Sequence, residues 1–219
     1  MIELMAVLVI AAILLTLGAS SFMKSRDNDA TNRAASSFAG VLQQAQSNAV
    51  ARRKSVALLV PDDDTFGPRG TVYRLCYLKK GTNEFESWLS EEWKKLPSNT
   101  ILAEVIGDTP EYDKLDPTNP NYFKKTFQGM PAKDLLSDTE LTTIKYQNQG
   151  KTETKNIPGI VFTPEGGLNT SYSINFYIIR GFIADDLLMI PNRTIIDGKP
   201  LDFVRIRLNP FTGKAKVIQ

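Results

Sequence analysis

The stretch MIELMAVLVIAAILLTLGASSFMKS, residues 1–25, combines a single carboxylate with a long uncharged run. After Glu3 no charged residue occurs until Lys24, and almost every side chain between them is apolar. A helix over residues 4–23 would be roughly 30 Å long, which is the thickness of a bilayer hydrocarbon core. The pattern therefore predicts one membrane-spanning helix within residues 1–23.

A second helical pattern follows the apolar run. Small or apolar side chains recur there at steps of three and four residues: Ala35, Phe38, Leu42, Ala45 and Ala49. Such a stripe, with polar residues between its members, is typical of a helix that buries one face. Residues 1–53 are therefore predicted to form one N-terminal helix. Residues 1–23 would be its membrane or filament-core part, and residues 24–53 its amphipathic part.

The remainder of the chain, residues 54–219, has the pattern of a β-rich soluble domain. SVALLV at 55–60 and TVYRLCYLKK at 71–80 are rich in β-branched and aromatic residues, and the turn formers between them predict a hairpin. Four more strand-like stretches occur later: TTIKYQN, GIVFTPEGGL, YSINFYIIRGFI and DFVRIRLNPFTGKAKVI. We expect an α+β fold in which the long helix packs on two antiparallel sheets.

The middle of the domain is less regular. Residues 84–106 hold two aromatic-rich strand candidates around LPSN, although SWLSEEWKKL at 87–96 also fits a short helix. Residues 107–137 contain four prolines and little periodicity. This composition predicts a long surface insertion with room for a helical turn.

The composition disfavours most catalytic chemistries. The chain has no histidine, the commonest general base and zinc ligand. Cys76 is the only cysteine, so no intrachain disulfide can form, and we expect it to be a packing residue. DDDTFG at 62–67 begins like a calcium loop, but Tyr73 stands where the loop requires a bidentate Glu. A non-enzymatic protein without a metal or cofactor is therefore expected.

Four stretches give the chain a resemblance to a known family. MIELMAVLVIAAILL at 1–15 resembles the processed N-terminus of type IV pilins and pseudopilins, typically F-T-L-I-E-L-M, with Met1 where Leu is usual. IVFTPEGG at 160–167 and NPFTGKAKVI at 209–218 are similar to segments of the GspH/FimT group of minor pseudopilins and minor pilins. LQQAQSNAVARRKSVALLV at 42–60 resembles the end of the helix in that group.

The resemblance implies a pilin-like fold and a structural function. A member of this group initiates or caps a type II secretion pseudopilus or a type IV pilus. The resemblance places the chain in the bacterial inner membrane as a single-pass protein, with its C-terminal domain in the periplasm or on the filament. The full-length precursor is expected to carry a basic leader that prepilin peptidase removes before N-methylation. The alternatives are a DNA-binding minor pilin for DNA uptake and a simple membrane-anchored binding domain.

Glu3 is the candidate assembly residue. A carboxylate buried in lipid costs several kcal/mol unless it is paired. The resemblance implies that its partner is the N-terminal amine of a neighbouring pilin or pseudopilin in the filament. The alternative is that Glu3 lies near the headgroups and interacts with its own helix dipole. The residues expected to pack in the filament core are Leu4, Val7, Leu8, Ala11, Leu14 and Leu15.

The C-terminal hairpin carries a candidate anion- or DNA-binding face. Arg205, Arg207, Lys214 and Lys216 alternate with apolar residues, so all four are predicted to project from one exposed face. Some FimT-like proteins bind DNA through a basic C-terminal region, and four cations would neutralise several phosphates. Solvated charges that protect an edge strand from aggregation would produce the same pattern.

Overall fold

The computed structural model describes residues 30–62, 64–107, 131–132, 136, 141–147, 154–191, 195–196, 199–200 and 203–218. Within these residues the chain forms one α-helix, α1, over residues 30–52, and fourteen strands follow it. The strands are β1 (Val56–Leu59), β2 (Val72–Leu78), β3 (Phe85–Trp88), β4 (Lys94–Lys95), β5 (Thr100–Gly107), β6 (Thr142–Gln147), β7 (Thr154–Phe162), β8 (Ile174–Arg180), β9 (Phe182–Ala184), β10 (Leu187–Met189), β11 (Ile195–Ile196), β12 (Lys199–Pro200), β13 (Phe203–Leu208) and β14 (Ala215–Ile218). The predicted α+β class is confirmed.

The predicted membrane-spanning part of the helix, residues 1–23, lies outside the described residues. In the part of the chain that the structure describes, no helix is both long and apolar enough to cross a bilayer. Most of the insertion expected at 107–137 also lies outside this part. Ala132 is described, and its N–H donates to the carbonyl of Asp186 at 2.7 Å, beside the β9–β10 hairpin.

The first sheet has the strand order β3-β2-β1-β7-β6, with β4 paired to β2 beyond this path. The predicted hairpin is confirmed, since β1 and β2 pair antiparallel with Val56 opposite Tyr77. The sheet curls so that its two edges meet. The N–H of Lys145 on β6 donates to the carbonyl of Asn83, just before β3, at 2.9 Å. The helix considered for residues 87–96 is wrong, because β3 and β4 occupy the two ends of this stretch.

The second sheet has the order β14-β13-β8-β5, and all its pairs are antiparallel. Ile206 on β13 lies opposite Val217 on β14 and Phe176 on β8. The alternation predicted for β13 is confirmed, since its buried residues are Val204, Ile206 and Leu208.

The inner core lies between α1 and the two sheets. Phe38 of α1 is fully buried, and its ring makes edge-to-face contacts with Tyr73 of β2 and Phe176 of β8, each at 5.2 Å. Burying one such side chain contributes about 1.5–3 kcal/mol. The stripe predicted on the helix is confirmed, because all its members are fully buried: Ala35, Phe38, Leu42, Ala45 and Ala49.

An outer core covers the opposite face of the first sheet. Its buried residues are Ala57, Leu59, Cys76, Leu78, Ile144, Tyr146, Ile157 and Val161. Four partly buried aromatic side chains pack over them: Phe66, Phe85, Trp88 and Trp93. The guanidinium carbon of Arg74 lies 3.7 Å from the centre of the Trp88 ring, which is a cation–π contact. Trp88 and Trp93 are therefore packing residues of the outer core.

Candidate functional site

The candidate assembly residue, Glu3, lies outside the described residues and stays a prediction. The same holds for the residues expected in the filament core: Leu4, Val7, Leu8, Ala11, Leu14 and Leu15. The described residues include the surface at the C-terminal end of α1, where the helix meets the β7–β8 loop and the β13–β14 hairpin.

The C-terminal hairpin places the candidate anion-binding residues by its register. Arg207 lies opposite Lys216, and Arg205 lies opposite Ile218, so both arginines and Lys216 share one face of the sheet. Arg207 and Lys216 are exposed, whereas Arg205 is half-buried. Lys214 is also exposed but lies in the turn, where its carbonyl accepts a hydrogen bond from the N–H of Asn209. The register therefore brings three of the four cations together.

The turn between β13 and β14 is held by its own side chains. The Oδ1 of Asn209 accepts hydrogen bonds from the N–H groups of Phe211 at 2.9 Å and Thr212 at 3.1 Å. Gly213 has a φ of 61°, in the left-handed region that favours glycine. This geometry leaves the ring of Phe211 78 % exposed at the tip of the turn.

The two C-terminal stretches singled out in the sequence pack against each other. The N–H of Leu168, next to IVFTPEGG, donates to the carbonyl of Pro210 in the β13–β14 turn at 2.7 Å. A Cβ on Gly213 would lie 2.5 Å from the carbonyl oxygen of Gly166, so side chains do not fit there. The turn also accepts a hydrogen bond from Gln46 of α1, whose Nε2 lies 3.3 Å from the oxygen of Thr212. Helix, β7–β8 loop and terminal hairpin thus form one junction.

The helix ends beside this junction in a Schellman motif. The N–H of Lys54 donates to the carbonyl of Ala49 at 3.2 Å, and the N–H of Arg53 donates to that of Val50 at 3.3 Å. Arg53 adopts a φ of 52° at the position where glycine is usual. A bulky side chain in this conformation costs roughly 1–2 kcal/mol.

A groove with a volume of about 700 Å³ opens between this helix end and the β2–β3 turn. Five cationic side chains line it, and we name it the cationic groove: Arg52, Arg53, Lys54, Lys79 and Lys80. The sequence reasoning missed this site. Its signals were the charge runs RRK at 52–54 and KK at 79–80, which only the β1–β2 pairing brings together.

Two carboxylates neutralise part of the cationic groove. Lys54 lies 2.7 Å from Glu86, and Lys79 lies 2.9 Å from Glu84. The hydrogen bond and charge of Lys79 lower the pKa of Glu84. The other cations of the groove, Arg52, Arg53 and Lys80, make no ion pair with another residue in the described part of the chain.

Cys76 occupies a packing position, as predicted. Its side chain is fully buried in the outer core, and burial raises the pKa of the thiol to about 12. Thiolate is the reactive form of cysteine, so this side chain is inert at neutral pH.

Comparisons with known proteins give one family and two structures. The family described as type II transport protein GspH matches residues 34–186. Two crystal structures of the type IV minor pilin FimU of Pseudomonas aeruginosa strain PAO1 match with TM-scores of 0.42 and 0.43. Each is 12% identical over 86% of this chain, and the matches cover 92% and 88% of the FimU chains. No curated protein matches significantly.

Proposed function

Because this chain belongs to the GspH family of type II transport proteins, we propose that it is a minor pseudopilin or minor pilin. It would be a structural subunit that initiates or caps a type II secretion pseudopilus or a type IV pilus. The observation that carries this proposal is the family match over residues 34–186, which runs from α1 to the β9–β10 turn. The uncharged run after Glu3 supplies the membrane and filament-core part.

The fold supports a mechanism in which the helix and the domain move as one body. Phe38 lies between the two sheets, and Gln46 is hydrogen-bonded to the terminal hairpin. Pulling residues 1–23 from the inner membrane into a filament would therefore carry the whole domain with them. Glu3 would pair with the N-terminal amine of a neighbouring subunit, because an unpaired carboxylate in this environment is costly.

Substitution of Glu3 tests this proposal. Glu3→Gln removes the charge but keeps the shape, so the N-terminal amine of the neighbouring subunit would be left without its partner. We expect at least about a ten-fold fall in incorporation, since one unpaired buried charge costs several kcal/mol. The melting temperature of the domain should stay unchanged. Glu165→Gln is the matched control, because Glu165 is exposed and lies on the β7–β8 loop. Normal incorporation of Glu3→Gln would contradict the role of this residue.

The N-terminal mass of the native protein tests the class of protein. We propose that cells with prepilin peptidase produce a form that begins with a methylated Phe shortly before Ile2, and that cells without the peptidase do not. An unrelated membrane anchor in place of residues 1–23 should abolish filament incorporation. A chain that functions with such an anchor would instead be a membrane-anchored binding domain.

Binding of DNA is a second candidate function, favoured by the register that places Arg207 opposite Lys216 on an exposed face. Single-stranded DNA should then bind with an affinity that falls as salt rises. In a variant with Gln in place of Arg205, Arg207, Lys214 and Lys216, the slope of log K against log salt should become shallower by about 0.7 for each phosphate that is no longer neutralised. An unchanged slope would exclude this face as the binding site.

A further inference from the structure

We propose that the cationic groove binds a carboxylate-bearing segment of a neighbouring filament subunit, an inference that rests on the proposed function. The groove is a built feature of the fold. The N–H of Leu78 donates to the carbonyl of Ser55 at 3.0 Å, and this bond holds the end of β2 beside the chain that leaves α1. Two runs of cations that are distant in sequence, 52–54 and 79–80, thereby face one another.

The charge of the groove is only partly compensated. Glu84 and Glu86 each pair with one lysine, which leaves Arg52, Arg53 and Lys80 without an ion pair among the described residues. Cations in the last turn of a helix favour its dipole, which accounts for the arginines. Lys80 lies on the β2–β3 turn and not in the last turn of α1, so the helix dipole does not account for its presence. Like charges gathered in a groove create a positive potential that attracts an anionic partner.

Arg53 adds a cation at a costly position. It adopts the left-handed conformation at the end of α1, where glycine would be free of strain. Its backbone cost is compatible with a role for the side chain in the groove.

The chemistry of the groove favours an acidic protein segment. Both ion pairs formed by its lysines have a carboxylate as the partner, so these side chains are placed to bind carboxylates. Pro164 also lines the groove and offers apolar contact to the side chains of a peptide. A phosphate backbone would gain little from this apolar contact.

The position along the helix disfavours a lipid headgroup as the partner. The 23 residues of α1, 30–52, rise by about 1.5 Å each, so the groove lies roughly 35 Å along the axis from residue 30. In the proposed continuous helix, residues 1–23 would be farther away still. A neighbouring subunit in a filament is the partner that reaches this position.

Carbodiimide cross-linking tests the inference. The reagent joins a lysine to a carboxylate in contact with it, and we would apply it to filament-bearing membranes that contain the full chain. Mass spectrometry should find Lys79 or Lys80 linked to an Asp or Glu of another subunit. The internal links Lys54–Glu86 and Lys79–Glu84 serve as the positive control, because these pairs lie 2.7 and 2.9 Å apart.

Matched variants identify the contribution of the groove. Arg52→Gln, Arg53→Gln and Lys80→Gln combined should lower the yield of the intersubunit link at Lys79 by about ten-fold, since each exposed cation contributes up to about 1 kcal/mol. Lys94→Gln with Lys95→Gln removes two cations outside the groove and should leave the yield unchanged.

Three results would overturn the inference. Internal links without any intersubunit link at Lys79 or Lys80 would show that no carboxylate segment occupies the groove. The occupant would be nucleic acid if a single-stranded oligonucleotide bound both the detergent-solubilised wild-type chain and the Lys94/Lys95 control variant. The triple variant would then be the one that fails to bind it. Absence of the wild-type chain from filaments would overturn the proposed function as well. Presence in filaments without the links overturns the groove inference alone.

Discussion

Gln46 on α1 donates a hydrogen bond from its Nε2 to the carbonyl of Thr212 at 3.3 Å, across 166 residues of sequence. This bond joins the helix to the terminal hairpin at a place where a glycine has no room for a side chain. A Cβ at Gly213 would clash with the carbonyl of Gly166 and would also meet Gln46. The junction therefore depends on small residues as much as on hydrogen bonds.

Gly213→Ala should destabilise the protein. Its Cβ would lie 2.5 Å from the carbonyl oxygen of Gly166, and its φ of 61° is unfavourable for alanine. We expect a decrease of about 2 kcal/mol or more in the free energy of unfolding. Denaturation of the full chain in detergent, followed by circular dichroism, measures this change.

The control for this variant is Gly40→Ala. Gly40 is exposed on α1, and a Cβ there would meet nothing within 4 Å. Alanine should therefore stabilise the helix by about 0.5–1 kcal/mol. Equal effects of the two substitutions would show that the tight contact at the junction is absent.

Arg53→Gly should raise stability while it removes a cation from the groove. Glycine relieves the strain of the positive φ at the end of α1, for a gain of about 0.5–1 kcal/mol. Arg53→Ala removes the same charge but keeps the strain, so its stability should not rise. If both variants gained equally, charge repulsion rather than backbone strain would be the cause.

Cys76 should resist thiol reagents in the folded protein. Its side chain is fully buried, and burial raises the pKa of the thiol to about 12. At pH 8 we expect modification by a disulfide reagent only as fast as the protein unfolds. Rapid modification under native conditions would show that the outer core opens locally.

The same thiol predicts a decrease in stability at high pH. Its folded pKa of about 12 lies above the ordinary value of 9.0, so the folded state holds the proton more tightly. The resulting stability is complete below pH 9 and falls between pH 9 and about 12, by up to about 1.4 kcal/mol per pH unit. Cys76→Ala should remove this part of the slope. Tyr73, whose pKa burial also raises, is present in both proteins and cancels.

Arg74→Met should weaken the outer core. Arg74 lies over the Trp88 ring and donates from Nε and Nη2 to the carbonyl of Ser90 at 3.1 and 2.8 Å. Removal of these interactions should cost about 1–3 kcal/mol in the free energy of unfolding. Arg74→Lys keeps the charge but not the forked donors, so it should restore only part of the stability. A complete rescue by lysine would mean that charge alone matters.

The local patterns were sufficient to predict the elements that bury one face. Phe38 and Leu42 lie at helical spacing, and both are buried; Ile206 alternates with Arg207, and only the isoleucine is buried. In these elements one face contacts the core and the other contacts water, so the period of the sequence reports the burial directly.

The outer core and the groove could not be predicted in this way. All four residues of β1, Val56–Leu59, are buried, because cores cover both faces of the first sheet. A strand covered on both sides has no alternation to read. The groove depends on the β1–β2 register, which brings Lys80 near Arg52, and a charge run by itself does not indicate what it will face.

The outer core also contains both tryptophans of the chain, Trp88 and Trp93, with their rings 5.8 Å apart. Intrinsic emission therefore reports on the far side of the first sheet and not on the contact between α1 and the domain. Far-ultraviolet circular dichroism, by contrast, contains the signal of the helix. Release of α1 with the outer core intact would change the circular dichroism and leave the tryptophan emission as it was. The native protein therefore has two spectroscopic signals that distinguish its inner core from its outer core without any label.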